Sequence, residues 1–156
     1  MGVVLPLIEA ATHWGMRGSL IGLDLGTKTI GVATSDPDRK VATAIETIAR
    51  TKFTDDAKRL LALSGERHAA GFVLGLPINM DGSEGPRSQS SRAYARNLAA
   101  LNLPILLWDE RWSTMGAERG LIEQDMSRAR RAERIDSAAA AVILQGAIDA
   151  LAGSAF

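Results

Sequence analysis

The chain has 156 residues, 46% hydrophobic and 23% charged, with 18 basic and 18 acidic side chains and no cysteine. This composition is ordinary for a globular domain; it excludes disulfides and thiolate metal sites, fits a reducing cytoplasm, and lacks the basic excess of a protein that coats nucleic acid non-specifically. No apolar stretch approaches the roughly 18 residues of a membrane span, and the apolar run 3–8 has no basic residue before it, so neither a membrane partner nor a secretory signal is expected.

In chain order, residues 4–14 have the spacing of a short helix, with Gly15 and Gly18 to end it. Strands are predicted over 20–24, 29–35 and 41–48, with Asp36-Pro37-Asp38 as a turn, giving an antiparallel three-strand meander. Thr54 is placed as the N-cap of the first helix, with Asp55 and Asp56 in its first turn and an end at Gly65 or, further on, at His68. A short buried strand follows at 71–76, then a loop, 77–86, rich in Gly, Pro, Asn and Asp. Helical spacing returns over 87–101, a buried strand over 104–108, and helices over 114–124 and 134–151, the last rich in alanine. The order predicts one α/β domain: a mixed sheet, the meander continued by β-α-β-α, with helices on its faces.

Asp24 is the most informative residue. It sits among apolar strand residues, Leu20-Ile21-Gly22-Leu23-Asp24-Leu25, where a carboxylate is costly to bury unless it is paired. Glu110 lies just past the strand at 104–108, and Asp136 opens the last helix. Three carboxylates from separate segments suffice to hold hard divalent cations such as Mg²⁺, which take oxygen ligands. Two such ions can clamp the attacking and leaving oxygens of a phosphodiester. Asp109 competes with Glu110, because neighbours on a strand face opposite sides, and spacing alone leaves that choice open. Thr27 and Lys28 in the turn after Asp24 suit either a phosphate contact or a cap. The basic residues gather late, at Arg128, Arg130, Arg131 and Arg134, and more loosely at Arg87, Arg92 and Arg96, so any polyanion contact is local.

These segments resemble the YqgF family, also called RuvX, of RNase H-like fold, whose members are described as Holliday-junction resolvases or pre-16S ribosomal RNA nucleases. The resemblance spans about residues 20–151. It rests on Gly22-Leu23-Asp24-Leu25-Gly26-Thr27-Lys28-Thr29-Ile30-Gly31-Val32-Ala33, on Gly75-Leu76-Pro77 with Met80-Asp81-Gly82-Ser83-Glu84-Gly85-Pro86, on Asp109-Glu110-Arg111-Trp112-Ser113-Thr114, and on Arg134-Ile135-Asp136-Ser137-Ala138-Ala139-Ala140. It implies a central five-stranded mixed sheet and a cytoplasmic endonuclease dependent on Mg²⁺ or Mn²⁺. Asp24, Glu110 and Asp136 would be its metal ligands and catalytic acids, so the resemblance selects Glu110 over Asp109. It implies a nucleic-acid partner, an RNA precursor or branched DNA; by their own chemistry Thr27, Lys28, Arg111 and Arg128, Arg130, Arg131 and Arg134 are the candidate contacts to it. Arg111 could equally hold Glu110, and Trp112 could stack on a base or fill the core. Residues 1–19 would be an N-terminal extension and 20–156 the nuclease domain. The competing reading is a nucleotide-phosphate module, because Asp-Leu-Gly-Thr-Lys is similar to the phosphate loop of actin- and Hsp70-like ATPases; a non-catalytic nucleic-acid-binding protein is the third.

Overall fold

The computed structural model describes residues 4–5, 18–100, 104–110 and 128–154, with side chains over 18–100, 104–110 and 137–152. Among the described residues six strands form one sheet: β1 (Val4–Leu5), β2 (Ser19–Leu25), β3 (Thr29–Ser35), β4 (Ala42–Ala49), β5 (Ala69–Leu76) and β6 (Ile105–Asp109), in the order β1-β6-β5-β2-β3-β4. The helices are α1 (Phe53–Arg67), α2 (Pro86–Ala99) and α3 (Arg128–Ser154). β2, β3 and β4 are the expected antiparallel meander. β5 then pairs parallel to β2, and β6 parallel to β5.

Strand alternation divides the core in two. Leu20, Ala33, Val73, Leu106 and Trp108 face one side and meet Ala140, Ile143, Leu144 and Ala147 of α3. Ile21, Leu23, Ile30, Phe72 and Leu74 face the other and meet Leu60 and Leu63 of α1 with Tyr94 and Leu98 of α2. Small residues let α3 approach closely. A Cβ on Gly22 would stand 2.6 Å from Leu144 Cβ and 3.0 Å from the Ala140 carbonyl oxygen. No helix among the described residues is long and apolar enough to cross a membrane.

Several boundaries differ from expectation. Val4 and Leu5 are not helical; they form a sixth, edge strand beside Ile105 and Leu106, too short to show a period. The rest of the helix expected over 4–14, and the one over 114–124, lie outside the described residues. Thr54 is not a cap. α1 starts at Phe53 behind Lys52 with no side-chain cap, and Asp56 reaches back instead, accepting from Thr51 Oγ1 at 3.0 Å and Thr51 N at 3.2 Å. Of the two ends expected for α1, Gly65 lies inside the helix, and His68 caps it in the left-handed conformation, φ 51°. α3 begins at Arg128, six residues before the predicted start, so the late arginines stand on helical turns.

Candidate active site

Because β2, β5 and β6 are parallel, their carboxyl ends share one edge of the sheet, the edge where ligands of open α/β sheets gather. Asp24 is the penultimate residue of β2 and only 4% exposed. Leu20 and Gly22 face α3, and alternation carries Asp24 to that side. On β6, Leu106 and Trp108 face α3 as well, and Glu110 continues the series.

Gly75 of β5 lies between these two acids. It pairs with Trp108 on one flank, and the β2–β5 register, continued one step past Leu23 and Leu74, sets it beside Asp24 on the other. A Cβ on Gly75 would be 2.6 Å from Glu110 Oε1. The Glu110 carboxylate therefore occupies the space that a side chain at 75 would fill. Adjacent strands are about 4.8 Å apart, so the Glu110 carboxylate lies over the strand next to Asp24, and the two acids share one edge and one face of the sheet. The carboxylate over Gly75 is that of Glu110, not Asp109.

The backbone of α3 brings the third acid to the same level. The Ala140 carbonyl lies against Gly22, and the helix runs on toward the Leu20 end of β2 through Ala147, Ile148 and Leu151. One turn back from Ala140, about 5.4 Å, is Asp136; two residues on from Gly22, about 6.6 Å, is Asp24. The side chain of Asp136 lies outside the described residues, as do those of Arg128, Arg130, Arg131 and Arg134. Among the described residues, no three His, Cys, Asp or Glu side chains group as a metal site; Asp24 and Glu110 are two acids of the expected trio. Arg111 and Trp112 lie outside the described residues.

Thr27 and Lys28 are exposed in the β2–β3 turn, closed by Gly26 N donating to Thr29 O at 2.8 Å. The sequence reading missed Arg50, which braces this turn. Its Nη1 donates to Gly26 O at 2.6 Å and its backbone N to Lys28 O at 2.9 Å. Its guanidinium lies 5.6 Å from the centre of the Tyr94 ring, a cation–π distance. Burial pushes the Tyr94 hydroxyl up to about 12, with Asp56 adding to the shift and Arg50 opposing it. The meander held the missed signal. Ala49 pairs with Thr29, so the residue after it must return beside the turn.

The loop 77–86 follows β5 at the same edge and is held by its own bonds. Asp81 Oδ1 accepts from Ser83 N at 2.9 Å and Ser83 Oγ at 2.6 Å, Asn79 N donates to Ser83 O at 2.9 Å, and Ser88 Oγ donates to Pro77 O. Arg92 pairs with Glu84 at 2.6 Å, which holds the Glu84 carboxyl below its usual range.

A mixed sheet in this order, with an acid ending its central strand and a long helix across one face, defines an RNase H-like α/β protein. Solved structures share the fold, among them two resolvases. RuvC of T. thermophilus, in complex with a Holliday junction substrate, superposes with a TM-score of 0.56 at 10% identity, covering 88% of this chain and 98% of that one. The yeast mitochondrial Holliday junction resolvase gives 0.53 at 13%, covering 96% and 84%. Residues 18–150 match the RuvX family, described as Holliday junction resolvase, and the chain belongs to that family. A relative in Rhodopseudomonas palustris (strain BisB5), named "Putative pre-16S rRNA nuclease", is 71% identical over 149 residues, 95% of this chain and 93% of its own. The protein is a nuclease, a hydrolase of phosphodiester bonds.

Proposed function

We propose that the protein is a divalent-metal-dependent endonuclease that matures the 5′ end of pre-16S rRNA in the cytoplasm, with Asp24, Glu110 and Asp136 as its metal ligands and catalytic acids. The observation that carries this reading is the Glu110 carboxylate lying over Gly75, one strand from the buried Asp24. A glycine that leaves room for a carboxylate beside a second carboxylate fits a hard cation with oxygen ligands, Mg²⁺ or Mn²⁺. Such an ion, when bound, lowers the pKa of a coordinated water and offsets charge on the leaving oxygen.

The chain's own residues set the geometry. Asp24 is fixed by the central strand and Glu110 by the end of β6. Asp136 rides on α3, whose packing against Gly22 fixes its level. Thr27 and Lys28 are the proposed phosphate contacts beside the site, and Arg111, Arg128, Arg130, Arg131 and Arg134 the proposed contacts of the substrate backbone. The 71% identical relative named for pre-16S rRNA favours the RNA precursor as substrate.

The test is cleavage in Mn²⁺ of a pre-16S rRNA 5′ fragment, a Holliday junction and an unstructured strand. Parent protein should cut the precursor at one place, and Asp24→Asn should cut at least about 100-fold more slowly, since even indirect supports of a metal site are worth 10–100-fold. Parent-level cleavage by Asp24→Asn would remove the acid site from the reaction. Preference for the junction would move the substrate to branched DNA.

A further inference from the structure

Behind the acids, on the α1–α2 side of the sheet, a cleft of about 220 Å³ opens between the β2–β3 turn and the first turns of α2. Leu25, Gly26, Thr27, Arg50, Pro86, Arg87, Ser90 and Ser91 line it, and among the described residues none of the lining side chains is acidic. Leu25, Gly26 and Thr27 directly follow Asp24 in the chain, so the cleft lies around the same sheet edge as the candidate active site.

Its chemistry is that of a phosphate cradle. Arg50 is pre-set by its bond to Gly26 O and its seat on Tyr94, which use one of its five N–H donors and one face. Arg87 is exposed on the opposite wall. Thr27 and Ser90 add hydroxyls to the same lining. The first turn of α2 carries no acid, and the Glu84 carboxylate just before its cap is engaged by Arg92. Two guanidiniums facing one concave space with no carboxylate repel each other unless an anion sits between them. Planar forks of this kind suit phosphate oxygens.

We propose that this cleft is a backbone-phosphate subsite, which holds the substrate strand by a phosphodiester near the scissile one and so fixes where the cut falls. Arg50 and Arg87 are its cations; both act by positioning and neither touches the reacting bond. The proposal rests on the nuclease reading above. The alternative source of the same chemistry is the phosphate chain of a free nucleotide.

The experiment uses labelled RNA strands in Ca²⁺, each carrying one uncharged methylphosphonate linkage at a different position, bound to parent and to Arg87→Ala. One linkage near the cleavage site should weaken binding to the parent several-fold and leave binding to Arg87→Ala unchanged, because the partner charge is already gone. Arg87→Ala should also flatten the salt dependence of binding by about 1 unit, and Arg87→Lys should restore part of it. KM for the unmodified strand should rise more than kcat falls. A linkage scan identical in parent and Arg87→Ala overturns the subsite. So does Arg87-dependent binding of ATP with no such dependence for RNA. Parent protein that cuts no unmodified nucleic acid in Mn²⁺ overturns the nuclease reading and the subsite with it, an outcome distinct from cleavage that ignores Arg87.

Discussion

Gly75 holds open the space on which the site depends. An added methyl would stand 2.6 Å from both Glu110 Oε1 and Ile143 Cδ1. Both are far ends of flexible side chains, so Gly75→Ala should still fold, at a cost of about 1–3 kcal/mol for the crowding. It should not still cleave well, because the Glu110 carboxylate must move, and a displacement near 1 Å can cost about 100-fold in rate. Circular-dichroism melting and a cleavage assay on the same preparation check both halves. A folded Gly75→Ala that cuts like the parent would mean that the position of Glu110 does not matter. In the sequence, Asp24 was legible because a carboxylate among leucines is conspicuous. Gly75 read only as part of a motif at the end of a strand, since nothing local tells which side chain a glycine makes room for. Arg50 was missed for the same reason, its partner being a carbonyl 24 residues away.

At the scale of elements, the seam between α3 and β2 sets the height of Asp136. It differs from the Gly75 contact in one respect, that backbone is involved. A Cβ at position 22 meets Leu144 Cβ at 2.6 Å and the Ala140 carbonyl at 3.0 Å, neither of which can swing aside. Gly22→Ala should therefore push the helix outward. The expected loss is at the upper end of about 1–3 kcal/mol, read as roughly 2–4 °C of Tm for each kcal/mol. Cleavage should fall with it, because the helix carries Asp136, the proposed third acid. A thermal melt of Gly22→Ala matching the parent would show that α3 does not pack as described. The alanine-rich stretch at 138–141 made this helix legible. Its six extra residues at the N-terminus did not show in an apolar period, because they are mostly charged: Arg128, Arg130, Arg131 and Glu133. The cap of α1 was misplaced because Thr54 has the right chemistry for one, while the stabilising bond comes from Asp56 back to Thr51, a pairing that spacing alone does not reveal.

For the molecule as a whole, the meander followed by β-α-β-α was readable from apolar runs and turn residues, and the five expected strands form the body of the sheet. Their lateral order needed the fold. It is the parallel placement of β5 between β2 and β6 that brings Asp24 and Glu110, 86 positions apart in sequence, to one edge. The chain has zero formal net charge, so its affinity for a polyanion must come from local cations set around that edge, while the acids themselves repel a phosphate until a cation lies between. With the proposed ion held by these acids, metal binding and substrate binding would be coupled, the ion coming first.

The most direct test of that account is a calorimetric titration of Mn²⁺ into the parent protein, Asp24→Asn and Glu110→Gln, with Tm followed in parallel. The parent should bind Mn²⁺ and melt at higher temperature as the ion is added, because a ligand of the folded state stabilises it by mass action. Each variant should bind more weakly and lose most of the Tm shift while folding normally without metal. Equal Mn²⁺ affinity and equal Tm shifts in all three proteins would place the ion elsewhere and contradict the assignment of Asp24 and Glu110 as its ligands.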